Sequence, residues 1–590
     1  MKPTHDPTGP ERTHGELSRR GALGLAAWSA GVAVAGAVAG HLPARLRHPL
    51  SVEPTGAAGP RTPNPSSAGL RAPTARTSNG TTKTAIATTP RPEERGAVDA
   101  AVHLARRATF GPTTALLAEI RSAGVDLWLD RQLDPMSIDD TEVERRLHRL
   151  RDLERGPAEL RSLGQFSDQL TGDLRVAALV RAVGSNRHLL EVMTDLWHDH
   201  LVVSSIKPPV AWHLPRYDRD VIRRHALGRY TDLLHAATTS GAMLEYLDTA
   251  SSTIPQLNEN HGRELLELHT VGLAAGYTEA DVTGASRVLS GWTVEPEHLG
   301  VVFDPARHDA GPARVLGWTT PGRSDKSAAQ DLPSLLEYLA KHPATANRIA
   351  TLLTSRFVAD IPPPELVAST ANAYLASGTD LAATLRHLLT SQALRTSSTT
   401  IVRRPFDLLA AQLRATSATL DVPNAGERIL RQEDASPLGS VLGVADLVDG
   451  VAEPLVRGAL PERPLAATVT RVLGRQSQPL FAAADASGHP LVGTPWSSGD
   501  ALLQRWTLAA AIAQNLLPGI TIDPELLAAG ASTAGATVDA LVRTCLNTPA
   551  PETRRAALSA MGRDEADQID AADVRRSLAF VLAAPEMQLR

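Results

Sequence analysis

At 590 residues the chain is longer than a single hydrophobic core sustains, since cores stop growing near roughly 250–300 residues, so two helical lobes are expected. A formal net charge of -5 excludes the basic excess of a nucleic-acid surface, and the basic residues are nearly all arginine, with lysine only at Lys2, Lys83, Lys207, Lys326 and Lys341. The one cysteine, Cys545, rules out an intramolecular disulfide and leaves the fold to rest on its core.

Met1 to Leu17 is polar. Ser18-Arg19-Arg20 then precedes an uncharged run rich in Ala, Gly and Val, from Gly21 to Gly40, that ends in Ala35-Gly36-Ala37 and Ala37-Val38-Ala39. Paired arginines, a weakly apolar run and small residues at the cleavage position identify residues 1–40 as a twin-arginine export signal, although Ala22 stands where a large apolar residue is usual. The alternative is an uncleaved membrane anchor, because about 19 apolar residues are long enough to span a bilayer. Both place the bulk of the chain outside the cytoplasm, touching a membrane only through this segment. Residues 41–96 are rich in Pro, Ser, Thr, Gly and Ala and nearly free of long apolar side chains. Such a stretch cannot offset the entropy of ordering, and a disordered linker is expected.

From residue 97 the pattern turns helical. Val98, Val102, Leu104 and Ala105 start a helix that stops at Phe110-Gly111-Pro112, and Thr113 caps the next one, through Leu116, Leu117 and Ile120. Asn186 to Val203 predicts a longer helix in which Leu189, Met193, Leu196 and Val203 surround His200, while His198 and Asp195 fall nearly opposite. The histidines of Trp197-His198-Asp199-His200 therefore face different ways and cannot both ligate one ion. His200, on the apolar face, is either a ligand or a core histidine bonded to a carbonyl.

The stretch Asn258 to Thr270 packs carboxylates, histidines, an arginine and amides into a leucine-rich helix. Asn260, Glu264 and Glu267 share one side with Leu257, Leu268 and Val271, while Leu265, Leu266, His269 and Leu273 take the other. A helix apolar all round is buried, so its charges must be paired, liganded or neutralised. Arg263 and Glu267, four apart, make one ion pair. Glu264 is left without a local cation: it meets an arginine from another helix, ligates a metal, or works as acid or base.

Gly276-Tyr277 then turns the chain, and Thr278 with Asp281 forms a capping box for a helix through Val282, Val288 and Leu289. Trp292 to Trp318 breaks the helical period. Gly300-Val301-Val302-Phe303 and Arg314-Val315-Leu316-Gly317 predict a small β-hairpin near 300–317, with His308-Asp309 on the intervening loop as site residues or as turn chemistry. Amphipathic helices follow at 344–357 and 381–389, the latter capped by Asp380, then from Arg403-Arg404-Pro405-Phe406 to Leu413. Gln432 to Arg463 has no clean period and is the expected junction between lobes 97–430 and 431–590. Helices at 502–515 and towards 584 close a mainly α, multi-helix chain. No phosphate-binding Gly-rich loop, Gly-x-Ser-x-Gly elbow or His-Glu-x-x-His is present.

His103-Leu104-Ala105-Arg106-Arg107-Ala108-Thr109-Phe110-Gly111-Pro112, Trp197-His198-Asp199-His200, Asn258 to Thr270, Gly276 to Val282, Ser290-Gly291-Trp292 and Arg307-His308-Asp309 occur in that order. Together they resemble the bacterial family catalogued as domain of unknown function 1800, from about His103 to the closing Ala584-Pro585-Glu586-Met587-Gln588. His261 and Gly262 stand where that family more often has an aromatic residue and an alanine, and Asp199 where Asn is usual. The resemblance brings no established activity or cofactor. It implies an exported protein and, as partner, a second exported protein encoded nearby.

Two functions are open at this level. One is a metal-dependent extracytoplasmic enzyme with Glu264, Glu267 and His200 as catalytic groups. Its divalent metal would be held among Glu264, His198, His200, His308 and Asp309, a ligand chemistry suited to Zn, Mn or Fe, with Arg263, Asn260, His269, Asp281 and Trp292 in support. The other is a non-catalytic binding or assembly partner of another exported protein, whose polar core is only structural.

Overall fold

A computed structural model describes residues 99–163, 167–252, 254, 257–422 and 463–590. The expected export signal, the linker and most of the expected junction, residues 432–462, lie outside the described residues.

The fold is mainly α, with small two-stranded antiparallel sheets. Helices that position the site are α1 (Ala100–Ala108), α2 (Ser167–Gly184), α3 (His188–His200), α4 (Tyr230–Thr238), α5 (Asn260–Glu264) and α6 (Glu279–Leu289). They are followed by α7 (Pro343–Phe357), α8 (Pro405–Ala415), α9 (Pro464–Arg475), α10 (Gly499–Ala513) and α11 (Ala571–Ala583). Local chemistry sets many of their starts. The Asp99 carboxylate accepts from Ala101 N at 2.9 Å, Thr113 Oγ1 from Leu116 N at 3.2 Å and Asp380 from Ala383 N at 2.7 Å. The Thr278–Asp281 capping box forms as expected. Proline sits in the first turn of α7, α8 and α9, where its missing N–H costs nothing. Among the described residues no helix is long and apolar enough to cross a membrane.

Helix α8 is at the centre. Every residue from Pro405 to Ala415 is buried, including Asp407, Gln412 and Arg414. Those polar groups are met by distant parts of the chain: Gln412 Nε2 donates to Leu582 O at 3.0 Å and Arg414 Nε to Gly111 O at 2.8 Å. The expected lobes 97–430 and 431–590 thus share one hydrophobic core and one compact unit. Strand Thr419–Leu420 pairs with Ile520–Thr521, and the amides of Ile401 and Arg590 donate to each other's carbonyls at 2.9 Å. Burying these elements against one another removes the need for two separate cores.

The β region holds two hairpins where one was expected. Trp292–Val294 pairs with Val301–Phe303, and Ala313–Val315 with Trp318–Thr320. Strands 301–303 and 313–315 are adjacent in sequence but each pairs with its own neighbour, because left-handed residues at Leu299 and Leu316 close two tight turns.

The expected continuous helix from 258 to 270 is α-helical only over α5 and continues as a π-helix from Leu265 to His269. It is not apolar all round: His261, Leu265, Leu266 and His269 are buried, Asn260 is exposed, and Arg263, Glu264 and Glu267 are half-buried. Its depth is set by Gly262, where a Cβ would lie 2.9 Å from both Ser286 N and Val282 O of α6. In an open helix Gly→Ala gains up to about 1 kcal/mol. Ser286 Oγ lies closer still and could rotate away, but the two backbone atoms cannot yield, so overpacking wins, and Gly262→Ala should lose about 1–3 kcal/mol. Urea unfolding of the two proteins checks this; an unchanged or higher midpoint would show that α5 and α6 separate freely.

Candidate functional site

The carboxylates of the central stretch sit at its half-buried edge. Arg263 pairs with Glu279 at 2.6 Å, not with Glu267 as expected, because the capping turn brings Glu279 beside it. Glu267 accepts from the Tyr277 hydroxyl at 2.8 Å. Among the described residues, Glu264 has neither a hydrogen bond nor an ion pair, and no arginine from another helix reaches it. Partial burial, and then Glu267 beside it, push the Glu264 carboxyl above its ordinary pKa. Asn260 is exposed, its N–H donating to Asn258 Oδ1 at 2.9 Å.

The other expected residues are dispersed. His308 Nδ1 donates to Ser290 O at 2.8 Å, while Asp309 pairs with Arg287 at 2.9 Å and accepts from Gly311 N at 3.0 Å, so this dipeptide is occupied as turn chemistry. Asp281 adds a bond from Leu316 N at 2.8 Å to its capping role. Trp292 begins the first hairpin and packs edge-on to Phe303. His269 is fully buried, both ring nitrogens lack partners, and burial lowers its pKa to about 3. No three of Glu264, His198, His200, His308 and Asp309 bring their ligand atoms within 4.8 Å of one another. Among the described residues only Glu295, Glu297 and His298 do, on an exposed turn.

The two histidines of α3 do face opposite ways. His200 Nε2 is 3.0 Å from the Tyr230 hydroxyl, which itself donates to His269 O, and that carbonyl also acts on the imidazole as a hydrogen-bond acceptor. Burial lowers the His200 pKa well below the ordinary value, with Arg348 and His269 adding to it. His198 turns to a cavity of about 40 Å³ lined by Asp195, His198, Asp199, Phe406, Phe481 and His489, among others.

Two imidazole–carboxylate pairs line that cavity. His198 Nε2 is 2.9 Å from Asp218 Oδ1, and His489 Nδ1 is 2.9 Å from Asp199 Oδ1. A π-helix from Tyr217 to Arg223 stacks residues five apart, placing Arg223 Nε 3.4 Å from Asp218 Oδ2. Arg223 also clasps Glu191 with two bonds, at 2.7 and 2.8 Å. Burial alone would raise the Asp218 pKa, but Arg223 and the bond from His198 hold it well below the carboxylate range.

On the next turn of α3, Asp195 and Asp199 each take one nitrogen of Arg404, which is completely buried at the start of α8. Arg404 Nε is also 3.8 Å from Asp407, whose other oxygen meets Arg356 at 3.2 Å. Burial pushes Asp195 up to about 6, with Arg404 opposing and the Asp199 charge adding. For Asp199 the same burial is outweighed by Arg404 and His489, and its pKa falls. The pair therefore divides its roles: Asp199 carries the charge, and Asp195 keeps a proton to higher pH.

Sequence reasoning missed Asp218, Arg223, Arg404 and His489. The i,i+4 spacing of Asp195 and Asp199, with an Arg-Arg-Pro start to another helix, was the available signal for Arg404. His489 has no local signal, since its partner lies almost 300 residues earlier.

With this helical scaffold in place, comparison with known proteins gives one relation. Residues 103–589 match the family described as protein of unknown function (DUF1800), and the chain belongs to that family. No curated protein and no solved structure matches it.

The unpaired state of Glu264 has a measurable consequence. A carboxyl whose folded pKa is raised favours the protonated fold, so its ionisation costs stability as pH rises above about 4.5. Glu264→Gln removes that cost and strands no cation. At pH 7 its thermal midpoint should equal or slightly exceed the parent's, and the difference should vanish near pH 3. A drop of several degrees at pH 7 would reveal a cation partner.

Proposed function

We propose that this chain is an exported enzyme that performs general acid–base chemistry in the cavity beside α3, with water as a reactant. The observation that carries the reading is the pair of imidazole–carboxylate couples facing one cavity. A carboxylate accepting from one ring nitrogen fixes the tautomer and leaves the other nitrogen as a base. In that arrangement His198 Nδ1 and His489 Nε2 are the proton acceptors. Asp195, with a pKa of about 6, is the proton donor near neutrality. A cavity of about 40 Å³ suits water, which needs roughly 10–15 Å³ of such space.

This moves the proposed site from Glu264 and Glu267 to the cavity lined by His198 and His489. The carboxylates and imidazoles first considered for a divalent metal do not converge, so metal ligation by that set draws no support from their positions. The second reading, a binding or assembly partner of another exported protein, rests on the buried ion pairs that Arg223 and Arg404 make with carboxylates of α3.

Asp195→Asn separates the two. A folded-state pKa raised above the unfolded one means that the parent loses stability as pH climbs from about 3.8 through about 6. If Asp195 is a strained functional group, the Asn variant should be the more stable protein at pH 7 to 8, with its advantage gone near pH 3. Turnover of p-nitrophenyl esters, phosphates or glycosides by the parent should fall about 100-fold or more in Asp195→Asn and His198→Gln. A variant less stable by about 3–5 kcal/mol at every pH would make the network scaffolding and favour the binding reading.

Export is part of the same proposal. Replacing Arg19 and Arg20 by lysine should retain the precursor in the cytoplasm, because the receptor reads paired guanidinium groups. Cell fractionation reads this out; secretion that persists, or that depends on the general secretory route, would overturn it.

A further inference from the structure

The cavity's walls differ in kind. One side is built from α2, α3, the π-helix Tyr217–Arg223 and the start of α8, elements of the buried core. The other is a single irregular segment, Gln478 to Gly493, between α9 and the short helical turn Thr494–Ser497. From it Leu480, Phe481, Ala483 and His489 close the space. Segments of this length without secondary structure are uncommon inside compact domains, and many of them are lids.

We propose that this strap is a gate: it seals the cavity with His489 in place, and an organic substrate enters only when the strap lifts. The inference rests on the acid–base reading for its purpose, but not for its test. About 40 Å³ admits one or two waters and no organic group, so a substrate must displace something, and the helices cannot yield without opening the core. The strap can. Asp485, Ser487, Pro490 and Val492 are exposed, while Leu480 anchors the strap in the core and hydrogen bonds hold it near both ends. Ser205 N donates to Phe481 O at 2.8 Å, Ser204 Oγ to Ala483 O at 2.8 Å and Arg175 Nε to Leu480 O at 3.0 Å. At the ends Phe406 N donates to Gln478 Oε1 and Gly493 N to Asp360 Oδ2, each at 2.8 Å. An irregular backbone whose middle, residues 484–492, is exposed or half-buried throughout marks a segment that opens alone.

The seated strap is also under constraint. Ser477 and Phe481, neither a glycine, have φ of 60° and 59°, and Phe481 in that conformation sets its ring edge-on to His198 at 4.9 Å. Strain of this kind collects at sites that switch. Gly488, at φ +73°, lies so close to the last turn of α3 that a Cβ would sit 2.2 Å from Asp199 O and 3.1 Å from Val202 Cγ2. Beside it, His489 reaches Asp199. Seating the strap therefore completes the second imidazole–carboxylate pair, and lifting it takes that pair apart.

Residue-resolved hydrogen exchange on the full chain tests the gate without a substrate. Ser205 N–H is protected only by Phe481 O of the strap, whereas Leu201 N–H, nearby, is protected by Trp197 O of α3 itself. Ser205 should exchange about 100-fold faster than Leu201 once intrinsic rates are removed. Gly488→Val, which the strap cannot seat, should speed Ser205 by a further tenfold or so and leave Leu201 unchanged. Equal rates for the two amides in the parent, or a variant that speeds both alike, would overturn the gate. Neither outcome depends on catalysis, so a failed gate and a failed acid–base site remain distinguishable.

Discussion

Arg404 is the charge on which the arrangement depends. It sits at the start of the only helix described here whose every residue is buried, and each of its terminal nitrogens holds a carboxylate of α3. Burying three charges together gains little over an apolar core of equal volume, since desolvation offsets most of the attraction. Its effect is on position. Two carboxylates four residues apart repel unless a fixed cation bridges them, and a planar guanidinium bridges them at one relative setting of α3 and α8. Loss of Arg404 would leave Asp199 as a buried charge alone, a cost of about 3–5 kcal/mol. The same cation, held also by Asp407 and through it by Arg356, links the helices at 195–199, 356 and 404–407 into one network.

Features that reside in a few consecutive residues were readable in the sequence. Thr113, Asp380 and the Thr278–Asp281 box cap the helices expected of them, and the opposed histidines of α3 follow from helical geometry alone. What escaped was set by partners far along the chain. Arg263 has an acceptor four residues on at Glu267, yet it takes Glu279, because the turn at 272–278 folds that carboxylate back to it. The period at 258–270 is compatible with a continuous helix, and the change to π geometry at Leu265 leaves no mark in composition. One shared core was invisible for a related reason: the bonds of Gln412 to Leu582 and of Ile401 to Arg590 unite the expected lobes, and no local pattern announces them.

The departures from the resembled family acquire physical content in this fold. Gly262 stands where alanine is more usual, and here α5 approaches α6 too closely for a Cβ. Asp199 stands where Asn is more usual. An amide there would still bond to Arg404 poorly and to His489 weakly, but it would carry no charge to stabilise an imidazolium. The second imidazole–carboxylate couple and the Asp195–Asp199 division of proton and charge both depend on a carboxylate at position 199.

Helix α3 separates two polar environments that differ in what protons can do. On the His200 side, Tyr230 and the His269 carbonyl satisfy the imidazole in a dry core where burial suppresses protonation of His200, His261 and His269 alike. Those histidines stay neutral across the physiological range. On the His198 side, each imidazole has a carboxylate beside it, so the cation formed on protonation is met by a fixed negative charge. A single helix turn therefore presents Trp197 and His200 to the core and His198 and Asp199 to the cavity, so both imidazole–carboxylate pairs lie on the face that the strap covers.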